Sequence, residues 1–128
     1  MKLLLDTHVF LWFILGSPHL SADARVLIED ERNRKFISVA SLWEIAIKSS
    51  IGQLRLSAPF DQLIPQQLSL NGFELLAIEI THLAAVATLP FHHRDPFDRL
   101  LIAQALAEQM PLVSSDSAFD AYTNITRL

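Results

Sequence analysis

The chain alternates short apolar runs that stop on a polar residue with longer segments whose apolar positions recur at helical spacing. "KLLLD" is a strand-like run ending on Asp6, and Val9 to Leu15 reads as a buried helical turn or two, closed by Gly16 and Pro18. "SADARVLIEDE" opens on Ser21, a good helix cap, and has Asp23 in its first turn, which predicts a helix from about Ala22 to Asp30. "KFISVAS" leaves a basic turn as a β-like stretch, and "SLWEIAIKSSIGQL" continues with helical spacing until Gly52. "APFDQLIPQQLSLNG" has a helical pattern that Pro65 should kink or break. "FELLAIEI" reads as a strand, "THLAAVATLP" as a short helix stopped by Pro90, and "DPFDRLLIAQALAEQMPLVSSD" as a helix followed by the strand "PLVSS". This alternation predicts an α/β fold with a mostly parallel sheet covered by helices on both faces.

The pattern also places the acidic residues. In an open parallel sheet the carboxyl ends of the strands form the crevice where ligands bind. Asp6 ends one strand, Asp116 follows another, Glu44 is early in the helix after "FIS", and Asp98 opens its helix. All four are therefore expected on one side of the sheet. Converging carboxylates repel unless protonated or neutralised, and hard cations such as Mg²⁺ or Mn²⁺ prefer oxygen ligands.

Each acid also has a local role open to it. Asp95 before Pro96 has the features of a helix N-cap, with Asp98 in the first turn. Asp98 shares its side of the helix with Leu101, Ile102 and Ala105, so its charge is expected to look inward. Glu44 and Lys48 have the spacing of an i,i+4 ion pair. Asp6 is placed to cap the next helix, and Asp116 to start a turn with Ser117.

Composition narrows the class. A length of 128 residues suits one domain, so residues 1–128 are expected to form a single unit, and about half of them are apolar. There is no cysteine, which excludes disulfides and thiolate metal sites. A net charge of −4 argues against holding nucleic acid by bulk positive charge. Local contacts to phosphate remain open to Lys48, Arg94 and Arg99, as do solvated or ion-paired roles.

His8, His92 and His93 lie near the acidic edge but lack the helical spacing of a zinc pair. Trp12, Phe13, Trp43 and Phe97 fall in apolar helices and are expected in the core. Asp6, Thr7 and His8 interrupt the apolar N-terminus, which argues against an export signal, and no run approaches the ~20 apolar residues of a membrane span. A cytoplasmic protein without a membrane association is the expectation.

The segments "LLLDTHVFLW", "SVASLWEIAIK", "FHHRDPFDRLLIAQA" and "PLVSSD" together resemble the PIN-domain nucleases, most closely the VapC-like toxins of type II toxin–antitoxin pairs. The resemblance spans nearly the whole chain. It implies a three-layer α/β/α fold, a Mg²⁺- or Mn²⁺-dependent endoribonuclease acting on RNA, a homodimer, and a cognate antitoxin that blocks the site. Carried over by motif, the acidic set falls on Asp6, Glu44, Asp98 and Asp116, with Asp6, Asp98 and Asp116 as metal ligands and Glu44 as ligand or base. Ser114 matches the hydroxyl residue that supports the first aspartate, and His8 stands where many relatives have asparagine. Asp95 is an extra acid, which leaves the third ligand open between Asp95 and Asp98; the helix motif favours Asp98. The alternative class is a non-catalytic α/β binding or regulatory module with an acidic cation site.

Overall fold

The computed structural model describes residues 1–128. Its strands are β1 (Lys2–Leu5), β2 (Arg34–Ser38), β3 (Phe73–Leu76) and β4 (Leu112–Val113). They form one sheet in the order β3-β2-β1-β4, with every neighbouring pair parallel. The helices are α1 (Thr7–Ile14), α2 (Ala22–Glu29), α3 (Val39–Ser50), α4 (Phe60–Asn71), α5 (Ile80–Ala87) and α6 (Pro96–Glu108). A 3₁₀ turn at Ser117–Ala121 follows β4.

The period of two in each strand feeds two cores. Leu3 and Leu5 of β1, Ile37 of β2 and Val113 of β4 point to one face, where they meet Phe10 of α1, Ile28 of α2, Ile45 of α3 and Ile64 of α4. Leu4, Phe36 and Leu112 point to the other, against Leu101 and Ile102 of α6 and against Phe119 and Tyr122. A sheet covered on both faces has no polar side, which is why "KLLL" is apolar without alternation. Leu3, Leu4 and Leu5 are fully buried, each worth roughly 1.5–3 kcal/mol relative to exposure.

Four boundaries differ from the sequence reading. Of "FELLAIEI" only Phe73–Leu76 is strand, because the Glu79 N–H donates to His82 Nδ1 and opens α5 at Ile80. The stretch "KFISVAS" is strand only as far as Ser38, because the Ser38 hydroxyl accepts from the Ala40 N–H and opens α3 at Val39. Only Leu112 and Val113 of "PLVSS" are strand, and β4 is instead covered by the chain's last residues, with Leu112 N–H donating to Thr126 O and Leu128 N–H to Leu112 O. Helix α4 runs unbroken through Pro65. Pro65 and Asp61 are both exposed, so the carbonyl left without its i+4 donor faces water, while Leu63 and Ile64 anchor the opposite side. No helix is long and apolar enough to cross a membrane.

Candidate active site

Register builds the first part of the site. Leu5 of β1 is level with Val113 of β4, so the next residues, Asp6 and Ser114, emerge side by side at the carboxyl edge. The Asp6 N–H donates to Val113 O at 3.0 Å, and the Ser114 hydroxyl donates to Asp6 Oδ2 at 2.8 Å. The same hydroxyl accepts from the Asp116 N–H at 3.1 Å, which ties both aspartates to one oxygen. Asp6 is only 5 % exposed. Burial raises its pKa above the ordinary carboxylate value, against the opposing effects of Ser114, His8 and the Thr7 N–H, while the Glu44 charge adds to the rise.

Helices α3 and α6 bring the remaining acids. Glu44 is buried on α3, and its carboxylate meets Lys48 Nζ at 2.9 Å. Asp95 caps α6, its Oδ1 accepting from the N–H groups of Phe97 at 2.8 Å and Asp98 at 3.1 Å. Asp98 is half-buried one turn into the helix, inward as its apolar neighbours required. Burial, followed by the charges of Asp95, Asp6, Glu44 and Asp116, pushes its pKa up to about 7. Asp116 is exposed and accepts from the Ala118 N–H at 2.9 Å, opening the 3₁₀ turn. The five acids line one cleft of about 290 Å³, shared with His8, Trp12 and Lys48.

Two expectations fail for a physical reason each. Arg99 does not reach the cleft: it is buried, and its guanidinium donates to the carbonyls of Val86, Leu89 and Pro90 at 3.1–3.3 Å, with Phe91 stacked 3.9 Å from it. Those carbonyls lie at and just beyond the end of α5; the Leu89 N–H also donates to Val86 O and the Tyr122 hydroxyl to Pro90 O, so the arginine completes the set by reaching Leu89 O and ties this turn to the start of α6. Trp43 is not core: it is 60 % exposed, with Phe97 packed edge-on against it at 5.2 Å. Helical periodicity put Trp43 one position from Glu44, and that step turns it outward. Arg94 is exposed on the loop before α6 and does not line the cleft.

Two contributions had weak sequence signals. The Thr7 hydroxyl donates to Ser41 Oγ at 2.9 Å in a buried contact that joins α1 to α3 beside Asp6. Small hydroxyl residues within apolar helices were the available clue. Trp12 stands at the cleft wall rather than wholly in the core.

The donor set is all oxygen and strongly acidic, with Lys48 as the one cation lining the cleft. That chemistry fits a hard divalent cation. No three acidic or histidine side chains stand close enough to enclose an ion as they are, and the conformations explain this. Glu44 is turned to Lys48, and Asp116 to the Ala118 N–H. Asp6, Glu44, Asp95 and Asp116 have each found a donor that relieves the mutual repulsion, whereas the Asp98 carboxyl has none and its pKa is raised instead.

A PIN domain family model matches residues 3–125 of the chain. Among curated proteins, "Ribonuclease VapC16" of Mycobacterium tuberculosis is 35 % identical over 71 residues, covering 52 % of this chain. The match spans half the length of that relative, at 50 %. Among solved structures, VapBC2 from Rickettsia felis, bound to a promoter DNA fragment, matches with a TM-score of 0.75 and 17 % identity, covering 100 % of this chain and 98 % of that one. VapBC-1 from nontypeable Haemophilus influenzae gives a TM-score of 0.69 and 19 % identity over 100 % and 97 % of the two chains. A toxin–antitoxin complex from Klebsiella pneumoniae gives 0.65 and 15 % over 96 % and 94 %.

Proposed function

The chain belongs to the PIN domain family, and from that premise we propose that it is a metal-dependent endoribonuclease that hydrolyses RNA phosphodiester bonds as the toxin of a toxin–antitoxin pair. The observation that carries this reading is the meeting of Asp6, Glu44, Asp98 and Asp116 in one cleft, with Asp98 pushed to about 7 by burial and its acidic neighbours. In this reading the 128 residues act as one domain.

Asp6, Asp98 and Asp116 would hold the divalent ion, magnesium or manganese, with Glu44 as a further ligand or as the base. When bound, such an ion polarises the scissile phosphate and acidifies water. Ser114 keeps Asp6 and Asp116 in their relative positions through its single hydroxyl. Lys48 holds the Glu44 carboxylate in the cleft wall, from where Glu44 would accept a proton from water as the base. Asp98 gives up its proton as positive charge enters, so loading of the site is expected to release protons near neutral pH.

The same acidity suits an inhibitor. One of the similar folds is a toxin–antitoxin complex, and the cleft favours a basic, arginine-bearing segment of a cognate antitoxin. For the homodimer that the resemblance implies, Trp43 and Phe97 offer an apolar rim.

The test is cleavage of RNA in Mg²⁺ or Mn²⁺ with and without excess chelator. Cleavage is expected to stop in chelator, to return with added metal, and to be lost in Asp6→Asn and Asp116→Asn while thermal unfolding shows both variants folded. Full activity in chelator, or in both variants, refutes the metal mechanism.

A further inference from the structure

We infer that Trp12, flanked by His8 and His19, is a stacking platform for unpaired nucleobases beside the scissile phosphate, an assignment that rests on the ribonuclease reading.

Three rings form a row that begins in the acidic cleft. His8 and Trp12 are four residues apart on α1 and therefore share a face, with ring centroids 5.8 Å apart and planes tilted by 42°. His19 comes from the loop after α1 and stands 5.7 Å from the indole at 37°. Both histidines are exposed and Trp12 is half-buried. At these separations and tilts no ring lies flat on its neighbour, so none of the three is locked in a stacked pair. Trp12 also walls two further depressions. One runs toward Ser115 and Arg127 and the other between α1 and α3 along Leu11 and Leu54, so the indole stands where three grooves meet.

Core packing accounts for only part of this row: Trp12 is half-buried against the core, while His8 and His19 are exposed. The face of α1 turned to the sheet is already closed by Val9, Phe10 and Leu11. Charge chemistry bears on the occupant. Without metal the cleft repels a polyanion, Lys48 is spent on Glu44, and Arg99 is buried among the carbonyls of Val86, Leu89 and Pro90, which leaves Arg94, exposed on the loop before α6, as the nearby cation open to phosphate. With so few cations at the cleft, substrate affinity draws in part on contacts indifferent to phosphate charge, and stacking of a base on an aromatic side chain is such a contact. A base in a duplex has both faces covered, so the platform accepts only bases out of the stack.

The experiment separates this proposal from the ribonuclease reading beneath it. The chain has two tryptophans, so Trp43→Phe leaves Trp12 as the lone indole. Titration of that variant with a single-stranded oligoribonucleotide in Mg²⁺, read before cleavage proceeds, is expected to quench its fluorescence, while the same sequence as a duplex does not. Trp12→Leu keeps an apolar side chain without the ring and is expected to raise KM about tenfold with kcat little changed, whereas Trp12→Phe keeps most of the affinity; about tenfold lies within the range of one base–aromatic stack. An oligoribonucleotide made abasic throughout is expected to bind the Trp12→Leu and Trp12 proteins alike. Cleavage without quenching overturns the platform and leaves the nuclease standing; quenching without cleavage does the reverse. Quenching by a co-expressed partner protein and not by RNA assigns the row to a protein interface and also overturns the proposal.

Discussion

Asp98→Asn in the metal-free protein is expected to raise stability at pH 8 rather than lower it. In the folded chain the Asp98 acid is pushed from an ordinary carboxylate value to about 7, first by burial and then by Asp95, Asp6, Glu44 and Asp116. The unfolded chain offers none of these influences, so its Asp98 ionises near ~3.9. Between roughly pH 4 and 7 the folded state therefore binds the proton and the unfolded state does not, and stability falls as pH rises through that window. Above it the folded state carries the whole penalty of ionising Asp98. A thousandfold change in proton affinity corresponds to about 4 kcal/mol. The cleft is open to water and salt, which screen the charges, so about half of that, ~2 kcal/mol, is expected to be realised. Removing a favourable charge from the first turn of α6 takes back about 0.5 kcal/mol. The remainder, ~1.5 kcal/mol, corresponds to roughly 5 °C in Tm for a chain of this size. The assay is thermal unfolding from pH 5 to 8 in chelator, and again with Mg²⁺. Asp98→Asn should flatten most of the pH dependence, gain stability in chelator above pH 7, and lose most of the stabilisation that Mg²⁺ gives the unsubstituted protein. A variant less stable at pH 8, or an unsubstituted protein indifferent to pH across the window, refutes the placement of Asp98 among ionised carboxylates.

Asp95→Ala is expected to lose about 1 kcal/mol with or without Mg²⁺, because its Oδ1 caps two N–H groups of α6; most cleavage should remain, and loss of the Mg²⁺ response would instead make Asp95 the third ligand. Arg99→Ala should destabilise the fold by about 1–2 kcal/mol, because it takes the donor from the Leu89 carbonyl while Val86 O keeps the Leu89 N–H and Pro90 O keeps the Tyr122 hydroxyl. The salt dependence of RNA binding should not change in that variant, and a shallower salt slope at unchanged stability would return Arg99 to the phosphate contacts.

The alternation of strands and helices was determined by local pattern, because a parallel sheet needs apolar strands and amphipathic helices between them, and both leave periodic traces. The caps at Ser21 and Asp95 were equally local, since a cap is made by a residue and the N–H groups two or three positions later. The gathering of Asp6, Glu44, Asp98 and Asp116 followed from topology, because in a parallel sheet the ends of the strands and the first turns of the helices lie at one edge. Tertiary structure decided what lies across each side chain. The pairing of Asp6 with Ser114 spans 108 positions and depends on the register of β1 against β4. Arg99 and Asp98 are adjacent in the chain yet serve different surfaces, because a helix turns about a hundred degrees per residue and only the neighbours of each face say which is burial and which is cleft. Trp12 and Trp43 look alike in an apolar helix, and their exposure was set by where the packing around α1 and α3 stops. Pro65 survives inside α4 because its face of the helix meets water, a fact about packing that no window of local sequence contains.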